Sequence, residues 1–175
     1  MNIPQTLPRL TAVVAVSLLA LTGCAPESTP STPETRPAAD SITIEDAWVK
    51  SAEEGMSAGF GTLLNAGDDD VTVVSVSSEA SSMTELHETV ENEAGEMVMR
   101  EKDGGFVIPA GGELGLAPGA NHIMMMDLAA PLAAGNEVTF TLTFSDDSTF
   151  EFTAPVKDYS GANENYVGGE DGMEQ

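Results

Sequence analysis

The chain has 175 residues, which is enough for one domain of ordinary size with appended segments. Its formal net charge is −23, from 29 acidic and 6 basic residues, and this argues against a nucleic-acid partner because phosphate binding requires clustered basic side chains. Hydrophobic residues make up 41% of the chain, so a packed core can form. The acidity favours an exported soluble protein or a surface that attracts cations.

Residues 1–23 are predicted to be a lipoprotein signal peptide. Arg9 gives the amino-terminal region a positive charge, and Leu10 to Leu21 form an apolar stretch that is too short for a comfortable membrane span. The stretch ends in Leu-Thr-Gly-Cys, which resembles a lipobox, and Cys24 is the only cysteine of the chain. We therefore expect acylation of Cys24, export, and lipid anchoring at the outer face of the cytoplasmic membrane. A plain signal peptide with an incidental cysteine is the alternative.

The segment after Cys24 is predicted to be a disordered tether. Residues 24–40 are dominated by proline, serine, threonine and charge, without apolar periodicity. Residues 160–175 form an acidic tail that is also predicted to be disordered. The folded domain is therefore expected to span residues 41–159.

Within this domain the hydrophobic pattern predicts β-strands. Apolar residues recur with a period of two and are separated by turn signals, and no convincing amphipathic helix of ten residues is found. The predicted strands lie in SITIEDAWVK, SAGFGTLLNAG, DVTVVSVSS, MTELHETV, GEMVMREKD, two short strands within GFVIPAGGELGLAPGANHIMMMDL, and the hairpin EVTFTLTFSDDSTFEFTAPV. This pattern predicts an all-β sandwich or barrel.

No constellation of residues in the chain points to catalysis. The pattern Gly-x-Ser-x-Gly occurs at residues 55–59, but neither histidine, His87 or His122, is near it in the sequence. Lipidation of the only thiol would exclude a cysteine nucleophile, and no pair of acidic residues stands out. We therefore predict that the protein is not an enzyme.

The stretch HIMMMDL favours a metal site on one face of a strand. If it is a strand, His122 and Met124 point to the same face, whereas Ile123 and Met125 point to the other. Met125 is then expected in the core, and the side chains of His122 and Met124 can reach the same metal ion.

The other histidine also lies near methionines at a spacing of two. Met83, Glu85 and His87 share a face of MTELHETV, and Met97 and Met99 share a face of the next strand. Imidazoles and thioethers form a soft, neutral set of ligands that selects Cu(I) over harder ions. Each motif alone is also compatible with ordinary core packing, but together the motifs favour a copper site.

The motifs resemble those of the PCu(A)C family of periplasmic copper chaperones. That family carries a histidine, a methionine about a dozen residues later, and a His-x-Met after a spacing of 21 residues. Here His87 is followed by Met99 twelve positions later and by His122-Ile123-Met124 after 22 intervening residues. The extra residue is placed in the turn at residues 103–105, and it leaves Met97 as an alternative to Met99. The resemblance covers residues 42–156 and includes DAWVK, SAGFGTLLNAGDDD, ELHET and IPAGGELGLAPGANHIMMMDL.

The resemblance implies a cupredoxin-like β-sandwich, or Greek-key barrel, that binds one Cu(I) ion through His87, Met99, His122 and Met124, with Cu(II) binding left open. It further implies an extracytoplasmic metallochaperone that delivers copper to the CuA centre of cytochrome c oxidase subunit II, often beside a Sco-type thiol protein. The alternatives are an extracellular protein that sequesters copper for resistance, and a binding module that holds no metal. A blue-copper electron carrier is disfavoured because such sites use a cysteine thiolate.

Overall fold

A computed structural model of the protein describes residues 36–161 and 165–166; the predicted signal peptide, Cys24, and most of the predicted tether and tail lie outside the described residues. The described part is almost entirely β-structure, as predicted. It comprises a 3-10 turn (Ala38–Ser41) and the strands β1 (Ile42–Lys50), β2 (Ser57–Asn65), β3 (Val71–Ser77), β4 (Ser81–Glu91), β5 (Met97–Glu101), β6 (Phe106–Ile108), β7 (Glu113–Leu116), β8 (His122–Leu128), β9 (Glu137–Phe144), β10 (Thr149–Lys157) and β11 (Asn165–Tyr166). Within these ranges, no helix has the length and apolar character needed to cross a bilayer.

The strands form two layers around one core. They follow the order β11-β5-β4-β8-β2-β1-β10-β9-β3-β6, and β7 pairs with β2. The path passes from one layer to the other where β1 and β10 pair in parallel, at Val49 with Val156 and Lys50 with Lys157. Alternating apolar residues from both layers meet between them, as in a sandwich. The predicted β-sandwich is confirmed.

The carboxyl-terminal hairpin supplies much of this core. Phe140, Leu142 and Phe144 of β9 are buried, and Phe152 of β10 pairs with Phe140 and stacks against it at 5.3 Å between ring centroids. The period of two in this segment therefore predicted both the hairpin and its buried face. Aromatic side chains of this size contribute strongly to core burial.

Two details of the strands differ from the prediction. Three strands rather than two lie between Gly105 and Leu128, because the short strand Phe106–Ile108 precedes Pro109 and is too brief to show a period. Strand β1 also contains an irregularity between Glu45 and Trp48, where Asp46 has a φ of 51°. A bulge of this kind changes the side of the sheet to which later side chains point, so apolar and polar residues no longer alternate regularly along the strand.

The ordered structure extends slightly beyond the predicted domain limits at both ends. The amide of Ala38 donates to the Asp146 carboxylate at 2.8 Å, and the amide of Ala39 donates to the Ser148 hydroxyl at 3.1 Å. Hydrogen bonds from the Ser148 hydroxyl and the Ala38 amide lower the pKa of Asp146. At the other end, β11 pairs in parallel with β5 although it lies in the segment predicted as a disordered tail. Both extensions depend on long-range contacts that local composition does not reveal.

The turn between β5 and β6 offers a matched test of backbone packing. Gly104 and Gly105 both have a φ of +77°, but a Cβ on Gly105 would lie 2.0 Å from the Val73 carbonyl oxygen, whereas a Cβ on Gly104 would meet nothing within 4 Å. We expect Gly104→Ala to cost about 1–2 kcal/mol from its left-handed backbone alone. Gly105→Ala should cost roughly 1–3 kcal/mol more, because the clash is with backbone. Urea unfolding of both variants measures the difference, and equal losses would contradict this packing.

Candidate metal centre

The two histidines are directly opposite each other on adjacent strands. In the antiparallel pairing of β4 with β8, His87 faces His122 and Glu85 faces Met124. Residues directly opposite in an antiparallel pair project to the same side of the sheet. The imidazole centroids are 5.6 Å apart, with an interplanar angle of 65°. The strand parity inferred for HIMMMDL and MTELHETV is therefore confirmed.

Three of the four predicted donor residues line one cavity. His122, Met99 and Met124 contribute to the wall of a cavity of about 170 Å³ beside the sheet. The remaining lining residues are Lys50, Met56, Ser57, Ala58, Phe60, Pro118 and Gly119. Among the described residues the lining contains no carboxylate, although the chain carries 29 acidic residues.

Hydrogen bonds define the tautomers of both imidazoles. The Nδ1 atom of His122 lies 2.9 Å from the carbonyl oxygen of Ala120, so Nδ1 donates and the neutral ring has its lone pair on Nε2. The Nε2 atom of His87 lies 2.8 Å from Oε2 of Glu85, so the lone pair of neutral His87 is on Nδ1. A hydrogen bond of this type at one ring nitrogen commonly orients the other towards a metal.

His87 occupies a deeper position than the other three. Its side chain is 0% exposed, and it does not line the cavity but packs against the ring of His122. With metal–imidazole bonds of about 2.0 Å, as in zinc sites, two imidazoles on one ion would have centroids roughly 5–6 Å apart. The observed 5.6 Å separation falls in this range, so the two rings are compatible with a common ion between them.

The structure distinguishes the two methionines of β5. Met99 is 9% exposed, lines the cavity, and lies opposite Thr89, two residues beyond His87 on the same face of β4. Met97 is 48% exposed, lies opposite Glu91, and does not line the cavity. The sequence left both open as the thioether donor, and the geometry favours Met99.

The two glutamates beside His87 have different surroundings. Glu85 shares the face of His87 and accepts its hydrogen bond. Glu88 instead pairs with Arg100 at 2.9 Å and with Lys102 at 2.7 Å, and the hydrogen bond from Lys102, aided by Arg100, lowers the pKa of Glu88. Glu88 therefore belongs to a surface ion-pair group and Glu85 to the histidine pair.

The opposite face of β8 belongs to the core. Ile123 and Met125 are buried in the hydrophobic cluster between the two layers. The prediction that Met125 is a core residue is confirmed.

On the side of the candidate centre, Phe60 lies 6.4 Å from His122 and 4.5 Å from Trp48, measured between ring centroids. These aromatic rings continue the apolar surroundings of the donor residues across β2 and β1.

Sequence reasoning did not place the seven other lining residues at the cavity, and two of them, Lys50 and Met56, carry a charge or a thioether. Lys50 ends β1, and its Nζ donates to the carbonyl oxygen of Gly161 at 2.7 Å. Met56 precedes β2 in an irregular segment without a second methionine nearby, so the spacing of residues gave no signal for it. Among the described residues, no three His, Cys, Asp or Glu side chains come together as a metal-binding group.

Comparison with known proteins places the domain in a family. Residues 42–156 match the family model described as "Putative lipoprotein LpqE-like". A relative from Leifsonia xyli subsp. xyli, "Putative lipoprotein Lxx21020", is 49% identical over 160 residues, covering 91% of this chain and 95% of its own. Both descriptions agree with the predicted lipoprotein.

Solved structures show the same fold. The metal-free PCuAC domain of PmoF1 matches with a TM-score of 0.58 at 21% identity, over 68% of this chain and 95% of that domain. The Cu(I) form of DR1885 from Deinococcus radiodurans matches with a TM-score of 0.54 at 26% identity, over 73% of this chain and 87% of its own. The family resemblance inferred from the motifs is confirmed by these matches.

The parity of β8 can be tested through stability. Met125 is fully buried in the core, so Met125→Ala should lower the free energy of unfolding by about 2–5 kcal/mol. Met124 is also buried but borders the cavity, so Met124→Ala only enlarges an existing cavity and should cost less than Met125→Ala in the metal-free protein. Urea unfolding without added metal compares the two variants. A larger loss for Met124→Ala would mean that the two faces are assigned the wrong way round.

Proposed function

Because the chain belongs to the LpqE-like lipoprotein family and has the fold of PCuAC domains, we propose that it is an extracytoplasmic metallochaperone for Cu(I). The ion is its cargo, and the protein is not an enzyme. The proposed ligands are His87, Met99, His122 and Met124.

The observation that carries this proposal is the chemistry of the cavity wall. One imidazole and three thioethers, two of which belong to proposed ligands, line the cavity without a carboxylate among the described residues, and a second imidazole, which donates to Glu85, lies 5.6 Å from the first between ring centroids. Thioethers are soft donors that select Cu(I), whereas Mg²⁺ and Ca²⁺ require oxygen ligands. A dedicated site for a hard cation would use some of the abundant acidic residues, and this cavity uses none of them.

The proposed ligands would bind the ion without burying a negative charge. Two neutral imidazoles and two thioethers leave the complex with the single positive charge of Cu(I), and thioethers need no deprotonation. An acceptor that carries thiolates can then displace these weaker donors by ligand exchange. Cu(II) is a harder ion with a preference for tetragonal nitrogen and oxygen ligands, so we propose Cu(I) as the main cargo.

Solved relatives support a copper cargo. DR1885 has a Cu(I) form, and its identity of 26% exceeds that of the PmoF1 domain. We propose further that the acceptor is the CuA centre of cytochrome c oxidase subunit II, reached directly or beside a Sco-type thiol protein. This part rests on the resemblance of the motifs to PCu(A)C chaperones.

Two other functions use the same fold. Copper sequestration would use the same ligands without a dedicated acceptor, and it differs from delivery only in the fate of the ion. A binding module without metal would require the buried histidine pair to be purely structural. The paired rings, with their lone pairs placed on Nδ1 of His87 and Nε2 of His122, favour a metal over this reading.

The proposal predicts a selective site with a defined set of ligands. We expect the protein to bind one equivalent of Cu(I) and to bind Zn²⁺ far more weakly, because the donor set is soft and neutral. Met99→Leu should lower Cu(I) affinity on the order of tenfold or more, which is about 1.4 kcal/mol. Competition titration with a chromophoric Cu(I) chelator measures both effects.

The matched control for that titration is Met97→Leu. Met97 lies on the same strand and is 48% exposed outside the cavity, so its variant should retain affinity within about threefold. Comparable affinities for Zn²⁺ and Cu(I), or equal losses from both leucine variants, would count against the proposed site.

Lipid anchoring at Cys24 is proposed to keep the domain near its acceptor. A random coil as long as the predicted tether, residues 24–40, spans roughly 20 Å, so anchoring would raise the effective concentration at the membrane surface. Cys24→Ala should release the protein from membranes, leave Cu(I) affinity unchanged, and lower oxidase activity when copper is limiting. Membrane fractionation and oxidase assays at low and high copper test this. A variant that stays membrane-bound would refute the anchor, and normal oxidase activity after release would refute the role of proximity.

A further inference from the structure

Met56 is a thioether at the mouth of the candidate centre. It lines the cavity together with Met99, Met124 and His122, yet its side chain is 50% exposed, whereas the three proposed ligands are buried. Nothing in the family motif or in the spacing of His and Met residues includes it. Its position therefore raises the question of what an exposed sulfur does beside a site for a soft ion.

The backbone around Met56 is held in place on both sides. The next residue, Ser57, pairs with Met125, and its hydroxyl donates to the Lys50 carbonyl oxygen at 2.5 Å. The amide of Leu128 donates to the carbonyl oxygen of Gly55 at 3.1 Å. The Cα of Met56 is therefore tied to β8, the strand that carries His122 and Met124. The unbranched side chain itself has three rotatable bonds and can change its reach without moving the backbone.

Two other methionines show that exposure alone does not explain this placement. Met83 is 51% exposed and Met97 is 48% exposed, but neither lines the cavity. The side chains of all three methionines are exposed to solvent. Of the three, Met56 alone also lines the cavity. An ion that moves between the buried ligands and a partner outside can contact Met56, whose exposed side chain borders the cavity.

We propose that Met56 is the exchange ligand of the copper site, which contacts Cu(I) on entry and on release but not in the resting complex. The inference rests on the proposed function. During release, bonds from acceptor thiolates to the ion replace, one at a time, the bonds to His87, Met99, His122 and Met124. Met56 holds the ion transiently while these bonds are exchanged, and its own bond breaks last. The thiol proton leaves to solvent or buffer as the thiolate binds, copper stays Cu(I), and no electron is transferred.

The physical reason for such a ligand is the transition state of exchange. Without a sulfur at the mouth, the ion must lose a buried ligand before the acceptor is fully bound, so the barrier rises. With Met56 as a transient ligand, the rate of copper transfer increases while the stability of the resting complex hardly changes. Met56→Leu should therefore slow transfer on the order of tenfold, equivalent to about 1.4 kcal/mol in activation free energy.

The test is stopped-flow transfer of Cu(I) from the loaded full-length protein to a chromophoric chelator and to dithiothreitol. Met56→Leu is compared with Met83→Leu and Met97→Leu, which are matched in side-chain volume and exposure. We expect slower transfer for Met56→Leu alone, with equilibrium affinity within about threefold of wild type for all three variants. Transfer by Met56→Leu at the rate of the two controls would overturn the proposal. So would a loss of equilibrium affinity as large as that of Met99→Leu, because Met56 would then be a resident ligand.

A spectroscopic measurement gives an independent readout. In protein labelled with ¹³C at the methionine methyl groups, substoichiometric Cu(I) should broaden the Met56 signal through exchange, whereas the signals of Met83 and Met97 should stay unchanged. An unperturbed Met56 signal would overturn the inference. Failure of the wild-type protein to bind Cu(I) at all would instead refute the proposed function, so the two failures can be told apart.

Discussion

The register between β4 and β8 decides which side chains share the face of the candidate centre. With His87 opposite His122 and Glu85 opposite Met124, both imidazoles and one thioether project to the same side, while Ile123 enters the core. Because side chains alternate along a strand, a shift of one residue would exchange these two sets. The core therefore fixes the site: burying Ile123 and Met125 is what holds their neighbours at the cavity.

The same constraint explains what could be predicted from the sequence. The period of two assigned His122 and Met124 to one face and Met125 to the other, and it predicted the hairpin around Phe140 and Phe144. These inferences succeed because a strand that is buried on one face must keep its parity. The spacing of His87 and Met99 could only be interpreted through the family resemblance, because local periodicity does not indicate which strands pair with each other.

The features that were not predicted depend on contacts between distant parts of the chain. The 3-10 turn at Ala38–Ser41 is held by hydrogen bonds to Asp146 and Ser148, more than a hundred residues away. The composition of the turn itself does not differ from that of the predicted tether. Met56 reaches the cavity only because the strand that follows it pairs with β8. No period or composition in a short window carries this information. Residues of this kind can be found from coordinates and not from spacing.

Under the proposed function, the acidic surface of the chain and the cavity serve different steps. The overall negative charge raises the local concentration of cations around the protein without distinguishing between them. Under the same proposal, selection occurs at the cavity, whose described lining offers hard ions no carboxylate ligand. Glu85 shares the face of His87 and accepts its hydrogen bond, but it does not line the cavity. A carboxylate that orients a proposed ligand from outside the wall fixes geometry, whereas the same group in the wall would relax the selectivity that we propose for the thioethers.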